Sequence, residues 1–156
     1  MYICIDIGGT AIKYGVADAA GTFLTHGSVP TDAKTYGGTG IVEKVCTIVR
    51  AAQQTHAVKG VAISTAGMVD PRAGRIVYAL AEAIPDYTGT NWKALMHDAF
   101  ALPASVENDV NCAALGEMWL GAGHGCTSLF AMTVGTSIGG ALIMDGHIVH
   151  GTSMSA

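Results

Sequence analysis

The stretch CIDIGGTAIKYG, residues 4–15, brings a carboxylate, two glycines, a hydroxyl and an amine close together. Gly8 and Gly9 carry no side chains, so backbone N–H groups there can approach an anionic oxygen closely. Thr10 adds a hydroxyl donor and Lys13 a positive charge. Asp6 ends the preceding apolar run, where a carboxylate can hold Mg²⁺ directly or through water. The chemistry on offer is the binding of phosphate with a divalent cation. The spacing is neither G-x-x-x-x-G-K-[ST] nor G-x-G-x-x-G, so the P-loop and Rossmann readings fail. An ordinary Gly-Gly hairpin turn accounts for the stretch equally well.

Two further stretches bear on that choice. TVGTSIGGAL, residues 133–142, sets Thr136 and Ser137 among Gly135, Gly139 and Gly140, again small donors on a turn. SVENDVNCAAL, residues 105–115, gathers Glu107, Asn108, Asp109 and Asn111. Asn108 or Asp109 can simply cap a helix starting near Val110. An aspartate at a strand-to-helix turn also suits a general base for an alcohol, taking its proton as phosphorus is attacked. The adjacent Asn can orient the alcohol. The other candidates offer less. His56, His97, His124, His147 and His150 show no H-x-x-x-H or H-E-x-x-H spacing and read as surface residues, Trp92 and Trp119 read as packing residues, and Ser64 lacks the G-x-S-x-G context of a serine hydrolase.

The elements that must hold these residues follow from periodicity. Tyr2 to Asp6, Ile12 to Ala17 and Phe23 to Ser28 read as three strands of an antiparallel meander. A loop is expected over Thr31 to Gly40. Ile41, Val45, Ile48, Val49 and Ala52 then form a helical stripe, and Gly60 to Ile63 a short strand. Residues 64–79 read as loop with a small strand near Ile76, followed by a helix from about Asn91. Ala104 to Val106 is a strand leading into the helix near Val110. Ser128 to His150 alternates as a hairpin with a turn at Asp145-Gly146. The two glycine-turn hairpins resemble each other, which suggests two related lobes: residues 1–123, and 124–156 as the start of a second.

Half of the 156 residues are hydrophobic and 13% charged, so one sizeable core can form. The net charge of −4 and the lack of a Lys/Arg-rich run argue against a nucleic-acid surface. Cys4, Cys46, Cys112 and Cys126 are scattered without a C-x-x-C pair, and Cys4 and Cys112 lie in apolar segments that favour buried free thiols. No signal-peptide pattern or membrane-length apolar run appears. A soluble, cytoplasmic protein with no membrane partner is expected.

In their order, the motifs resemble the ROK family of sugar kinases and sugar-responsive repressors. DIGGTAIKYGV is similar to its first phosphate motif, ENDVNCAALGEMWLGAG to its catalytic-aspartate turn and helix, and TVGTSIGGALIMDGHIVHG to its second phosphate motif. STAGMVDPRAGRI fits its substrate loop, with Thr65-Ala66-Gly67-Met68 replacing the usual Pro-Gly-Pro start. The resemblance implies an α/β, actin-like ATPase (ribonuclease-H-like) lobe with a mixed sheet, plus the first hairpin of a second similar lobe. It implies transfer of the γ-phosphoryl of ATP, with Mg²⁺, to a sugar hydroxyl, usually O6 of a hexose. By position, Asp109 is then the general base, and Asn108 and Gly67 contact the sugar. Gly8, Gly9, Thr10 and Lys13 make the first phosphate turn, Gly135, Thr136 and Gly139 the second, and Asp6 assists Mg²⁺. STAGMVD with IPDYTGTNW is most similar to the branch acting on glucose or β-glucosides.

Family members usually continue past the second hairpin into Ala-Gly-Glu-x-Gly-His. The chain is therefore expected to be the N-terminal portion of a kinase, inactive alone, with the family's zinc site outside it. Apolar surface and an open strand edge on the last hairpin predict a homo-oligomer. Two other functions fit parts of the pattern. A ROK-type transcriptional regulator would carry a helix-turn-helix before the first phosphate motif, whereas the first strand here begins at Tyr2. A non-catalytic sugar-binding protein would keep the fold without the chemistry.

Overall fold

Strict alternation over Tyr2–Ile7 builds β1, with Ile3, Ile5 and Ile7 buried on one face. Tyr2, Cys4 and Asp6 are thereby turned to the other face. The structure, a computed structural model, describes residues 1–135 and 138–154. β2 (Ala11–Ala17) and β3 (Phe23–Pro30) continue antiparallel from β1, as the meander pattern predicts. β4 (Gly60–Thr65) lies parallel to β1 on its other side, and β7 (Ala104–Asn108) borders β4. The result is a mixed five-stranded sheet in the order β3-β2-β1-β4-β7.

α1 (Ala33–Thr55) supplies the connection from β3 to β4 and buries Ile41, Val45, Ile48, Val49 and Ala52, the stripe read from the sequence. Its start departs from expectation, because helix replaces most of the loop foreseen over Thr31 to Gly40. Gly37 breaks the helix there with φ 59° and ψ −162°. A Cβ on the next residue, Gly38, would lie 2.6 Å from the Asp86 carbonyl oxygen and 2.8 Å from Tyr87 Cα. Glycine, a poor helix former, stands here because the helix backbone packs directly on another backbone segment.

β5 (Met68–Asp70) and β6 (Arg75–Tyr78) form a small hairpin where only one strand was expected. The Asp70 carboxylate closes its turn by accepting from the Arg72 and Ala73 N–H groups, both at 3.0 Å. The Ala73 bond leads in holding that carboxyl below its usual range, with the Arg72 bond and the Arg75 and Arg72 charges adding to it against desolvation. α2 (Trp92–Phe100) is capped by Asn91, whose Oδ1 accepts from the Ala94 N–H at 3.0 Å. It buries Trp92 and Met96. Each fully buried large apolar side chain contributes about 1.5–3 kcal/mol relative to exposure, so the isoleucines of β1 and the stripe of α1 hold this sheet in place.

The chain divides into two compact units, Met1–Glu107 and Asn108–Ala156. In the second, α3 (Asp109–Leu120) packs on a three-stranded antiparallel sheet of β8 (Leu129–Val134), β9 (Ile138–Met144) and β10 (His147–Ile148). Its small core is Ala114, Ala141 and Ile143, flanked by Val110, Met118, Leu129, Ala131 and Ile148. Trp119, expected to pack, is 51% exposed on α3. Cys4 and Cys112 are half-buried rather than buried, and Cys4, Cys46 and Cys126 are free thiols. Burial pushes the Cys4 and Cys46 thiols up from their ordinary pKa. No helix among the described residues is long and apolar enough to cross a membrane.

Candidate functional site

The turn at Gly8–Thr10 joins β1 to β2 and is tied down from outside its own hairpin. Gly8 N–H donates to the Ala11 carbonyl at 3.1 Å. Thr31, fully buried at the end of β3, donates its hydroxyl to the Gly8 carbonyl at 2.7 Å and its N–H to the Thr10 carbonyl at 2.9 Å. Lys44 of α1 in turn donates to the carbonyls of Pro30 and Thr31, at 2.7 and 3.1 Å, and pairs with Asp32 at 2.7 Å. A Cβ on Gly8 would lie 3.1 Å from the Ala11 carbonyl oxygen, whereas one on Gly9 would meet nothing within 4 Å. Neither residue has a positive φ. Nothing in the fold demands glycine at position 9, and its absent side chain leaves the turn bare.

Asp6 sits in the sheet with Lys13 as its partner across β2 and Ser64 across β4. Directly opposed residues share a face, so an amine, a carboxylate and a hydroxyl form one row. Ser64 donates to Asp6 Oδ1 at 2.7 Å. Lys13 is exposed and takes no part in the described ion pair, Lys44–Asp32.

Gly67 follows β4 in the loop before β5. Its φ is 103°, and a Cβ there would lie 2.8 Å from the Tyr78 carbonyl oxygen. The glycine is thus required by both conformation and space. Beneath the loop, Thr65 Oγ1 lies 2.8 Å from the Tyr87 hydroxyl, to which the Trp92 indole N–H donates at 3.1 Å. All three side chains are fully buried. Desolvation pushes the Tyr87 pKa up to about 12, against the opposing effect of its hydrogen bonds to Thr65 and Trp92.

In the second unit the start of α3 settles which residue caps it. Asn108 is the N-cap, with extended φ −62° and ψ 146°, and its Oδ1 accepts from the N–H groups of Val110 at 2.9 Å and Asn111 at 3.3 Å. Asp109 is the first helical residue, partly buried, and its Oδ1 also accepts from the Val110 N–H, at 3.0 Å. A carboxylate in the first turn is also favoured by the helix dipole. Gly135 lies at the bend after β8, where a Cβ would meet nothing within 4 Å. Gly139, on β9, lets the sheet approach α3, since a Cβ would come 2.5 Å from Val110 Cγ2. Thr136 lies outside the described residues. Among the described residues, no three His, Cys, Asp or Glu side chains gather to hold a metal ion.

The first unit therefore brings together Asp6, Lys13, the 8–10 turn and Ser64 on β1, β2 and β4, with Gly67 on the loop after β4. The second brings together Asn108 and Asp109 at one helix end. Thr31, Ser64, Lys44, Thr65 and Tyr87 were not among the residues the sequence singled out for these sites. The bonds Thr31–Gly8, Lys44–Thr31, Ser64–Asp6 and Thr65–Tyr87 span 13 to 58 positions of the chain, and no local pattern carries that information.

The ROK family model matches residues 2–156. An uncharacterized protein of Clostridium perfringens is 50% identical over the whole chain, which covers 52% of that protein. A beta-glucoside kinase of Listeria monocytogenes is 36% identical over 148 residues, 94% of this chain and 47% of the relative. The crystal structure of a ROK family glucokinase from Streptomyces griseus, in complex with glucose and AMPPNP, superposes with a TM-score of 0.86 at 35% identity. That match covers 99% of this chain and 48% of the glucokinase. The chain spans about half the length of the curated relatives it matches. With the family model covering it from residue 2 to residue 156 and the fold matching a solved member, the chain belongs to the ROK family and has its actin-like ATPase fold.

Proposed function

We propose that this chain provides the phosphate- and sugar-contacting residues of an ATP-dependent sugar kinase acting on O6 of glucose, a β-glucoside or a related hexose. The observation that carries the reading is the division of labour at the start of α3. Asn108 holds the N-cap position and accepts from both the Val110 and Asn111 N–H groups, so the cap stands without the Asp109 carboxylate, which shares only the Val110 N–H through Oδ1. Asp109 then acts as general base. It takes the proton of the sugar hydroxyl as that oxygen bonds to the γ-phosphorus of ATP, and the bond from phosphorus to the bridging oxygen breaks to release ADP.

Asn108 contacts the sugar with its amide, and Gly67 with its backbone. Gly8, Gly9, Thr10 and Lys13 grip phosphate from one hairpin, and Gly135, Thr136 and Gly139 from the other. Asp6, a single carboxylate polarised by Ser64, fits a Mg²⁺ ion held mainly by substrate phosphates and water. When bound, that ion neutralises phosphate charge. The lobes proposed are residues 1–123 and the opening of a second at 124–156. The setting proposed is cytoplasmic, without nucleic-acid or membrane partners.

The test is ADP release by the intact protein carrying this chain, with ATP, Mg²⁺ and a panel of hexoses and β-glucosides. Turnover of glucose or a β-glucoside supports the reading, and no turnover of any sugar overturns it. Gly9→Ala sharpens it. Because nothing in the fold touches that Cβ, thermal stability should hold or rise by a few tenths to about 1 kcal/mol. The KM for ATP should increase by about tenfold or more as the methyl obstructs the phosphate. An unchanged KM for ATP would remove the turn from the nucleotide site.

A homo-oligomer is also proposed. Phe130, Met132, Val134 and Ile138 are 66%, 62%, 74% and 74% exposed on one face of the β8–β9 pair, and β8 is an edge strand. Light scattering of the 156-residue chain should give a mass at least twice that of the monomer, and a strictly monomeric, well-ordered chain counts against it.

A further inference from the structure

The motif IPDYTGTNW has no role in the chemistry above, yet it contributes two of the three side chains, Tyr87 and Trp92, of the buried polar network under the Gly67 loop. An indole N–H can only donate, so the Tyr87 oxygen must accept from Trp92. The phenolic hydrogen is then left for Thr65 Oγ1 at 2.8 Å. The Thr65 hydroxyl completes the series by donating to the Ala66 carbonyl at 3.3 Å. With the Thr65 hydrogen committed to the Ala66 carbonyl, the phenolic hydrogen is the one that spans the Tyr87–Thr65 contact, and each hydroxyl then accepts once and donates once. With all three side chains at 0% exposure, water does not compete for any of these bonds.

We infer that Tyr87 is a positioning residue for the sugar-contacting loop, acting through Thr65 on the Ala66–Gly67 peptide; this rests on the sugar-kinase reading. Holding the Ala66 carbonyl toward Thr65 turns the Gly67 N–H of the same planar unit the opposite way. The Tyr78 carbonyl oxygen lies only 2.8 Å from where a Cβ on Gly67 would stand, so the loop backbone runs close to β6 and has little room to move toward it. The relay therefore sets the orientation of the peptide proposed to meet the sugar, without Tyr87 touching the sugar itself.

The experiment uses the intact protein, with glucose and ATP affinities measured by titration, steady-state kinetics, and amide hydrogen exchange. Tyr87→Phe keeps the ring and removes the hydroxyl. Its glucose Kd and KM should rise by about tenfold, with kcat within about twofold and the KM for ATP unchanged. Amide exchange at Ala66 and Gly67 should accelerate while that of Ile63 does not. Thr65→Val should reproduce the loss, the double variant should lose no more than the worse single one, and Thr65→Ser should restore most of the affinity.

Unchanged glucose affinity in a folded Tyr87→Phe protein overturns the inference. So does a parallel loss of glucose and ATP affinity that tracks the fall in Tm. If Tyr87→Phe fails to fold, equal glucose affinities for Thr65→Val and Thr65→Ser overturn it instead. A wild-type protein that binds no sugar overturns the sugar-kinase reading, and the exchange rate at Gly67 then decides separately whether the relay orders the loop.

Discussion

Asp109→Asn in the intact protein is expected to lower kcat by a factor of about 10²–10⁴, the usual weight of a positioned general base, while sugar binding persists. The amide has the size of the carboxylate but cannot take the hydroxyl proton. Because Asn108 makes the cap, the exchange leaves α3 its cap, and the loss of a first-turn charge costs roughly 0.3–1 kcal/mol. The predicted signature is therefore chemistry lost with fold and binding retained. Turnover, glucose titration and thermal melting on one preparation would show it. Unchanged turnover would overturn the assignment of the base.

Gly67→Ala is expected to act on both fold and function. The φ of 103° is one that L-residues rarely adopt, and the new methyl would meet a backbone oxygen at 2.8 Å. Such strain costs on the order of 1–3 kcal/mol, so the midpoint of denaturant unfolding should fall with the slope unchanged. Relief by moving the loop would also displace the Ala66–Gly67 peptide, and sugar affinity should weaken by tenfold or more, on the order of the same energy. A variant with native stability and native sugar affinity would show that the loop neither needs this glycine nor meets the sugar through it. The contrast with Gly9→Ala is the useful one, because a ligand rather than the fold is proposed to exclude a side chain there.

Much of the scaffold was legible because alternation leaves few choices. Ile3, Ile5 and Ile7 must share a face, so Asp6 could be placed away from the core before its neighbours were known. The stripe from Ile41 to Ala52 named its own helix in the same way. The first turns of α1 were not legible, since glycines at 37, 38 and 40 argue against helix unless the backbone of Pro85–Tyr87 is known to lie against them. At residues 108 and 109 both side chains can cap, and only the extended backbone of Asn108 decides between them. Ser64 was weighed as a nucleophile and set aside. Its observed role, as a donor to Asp6, depends on a parallel strand pairing that bridges 58 positions.

The Thr31–Lys44 fastening has a thermodynamic consequence for any ligand of the 8–10 turn. Free loops lose conformational entropy when they close around an anion, and that loss subtracts from affinity. Here Thr31 pins the carbonyls of residues 8 and 10, and Lys44 pins Thr31 to a helix rooted by Ile41 and Val45. That ordering is completed when the chain folds, so a phosphate bound here as proposed would not meet the cost of closing the loop again, and only the losses of its own freedom and hydration would subtract from the contacts.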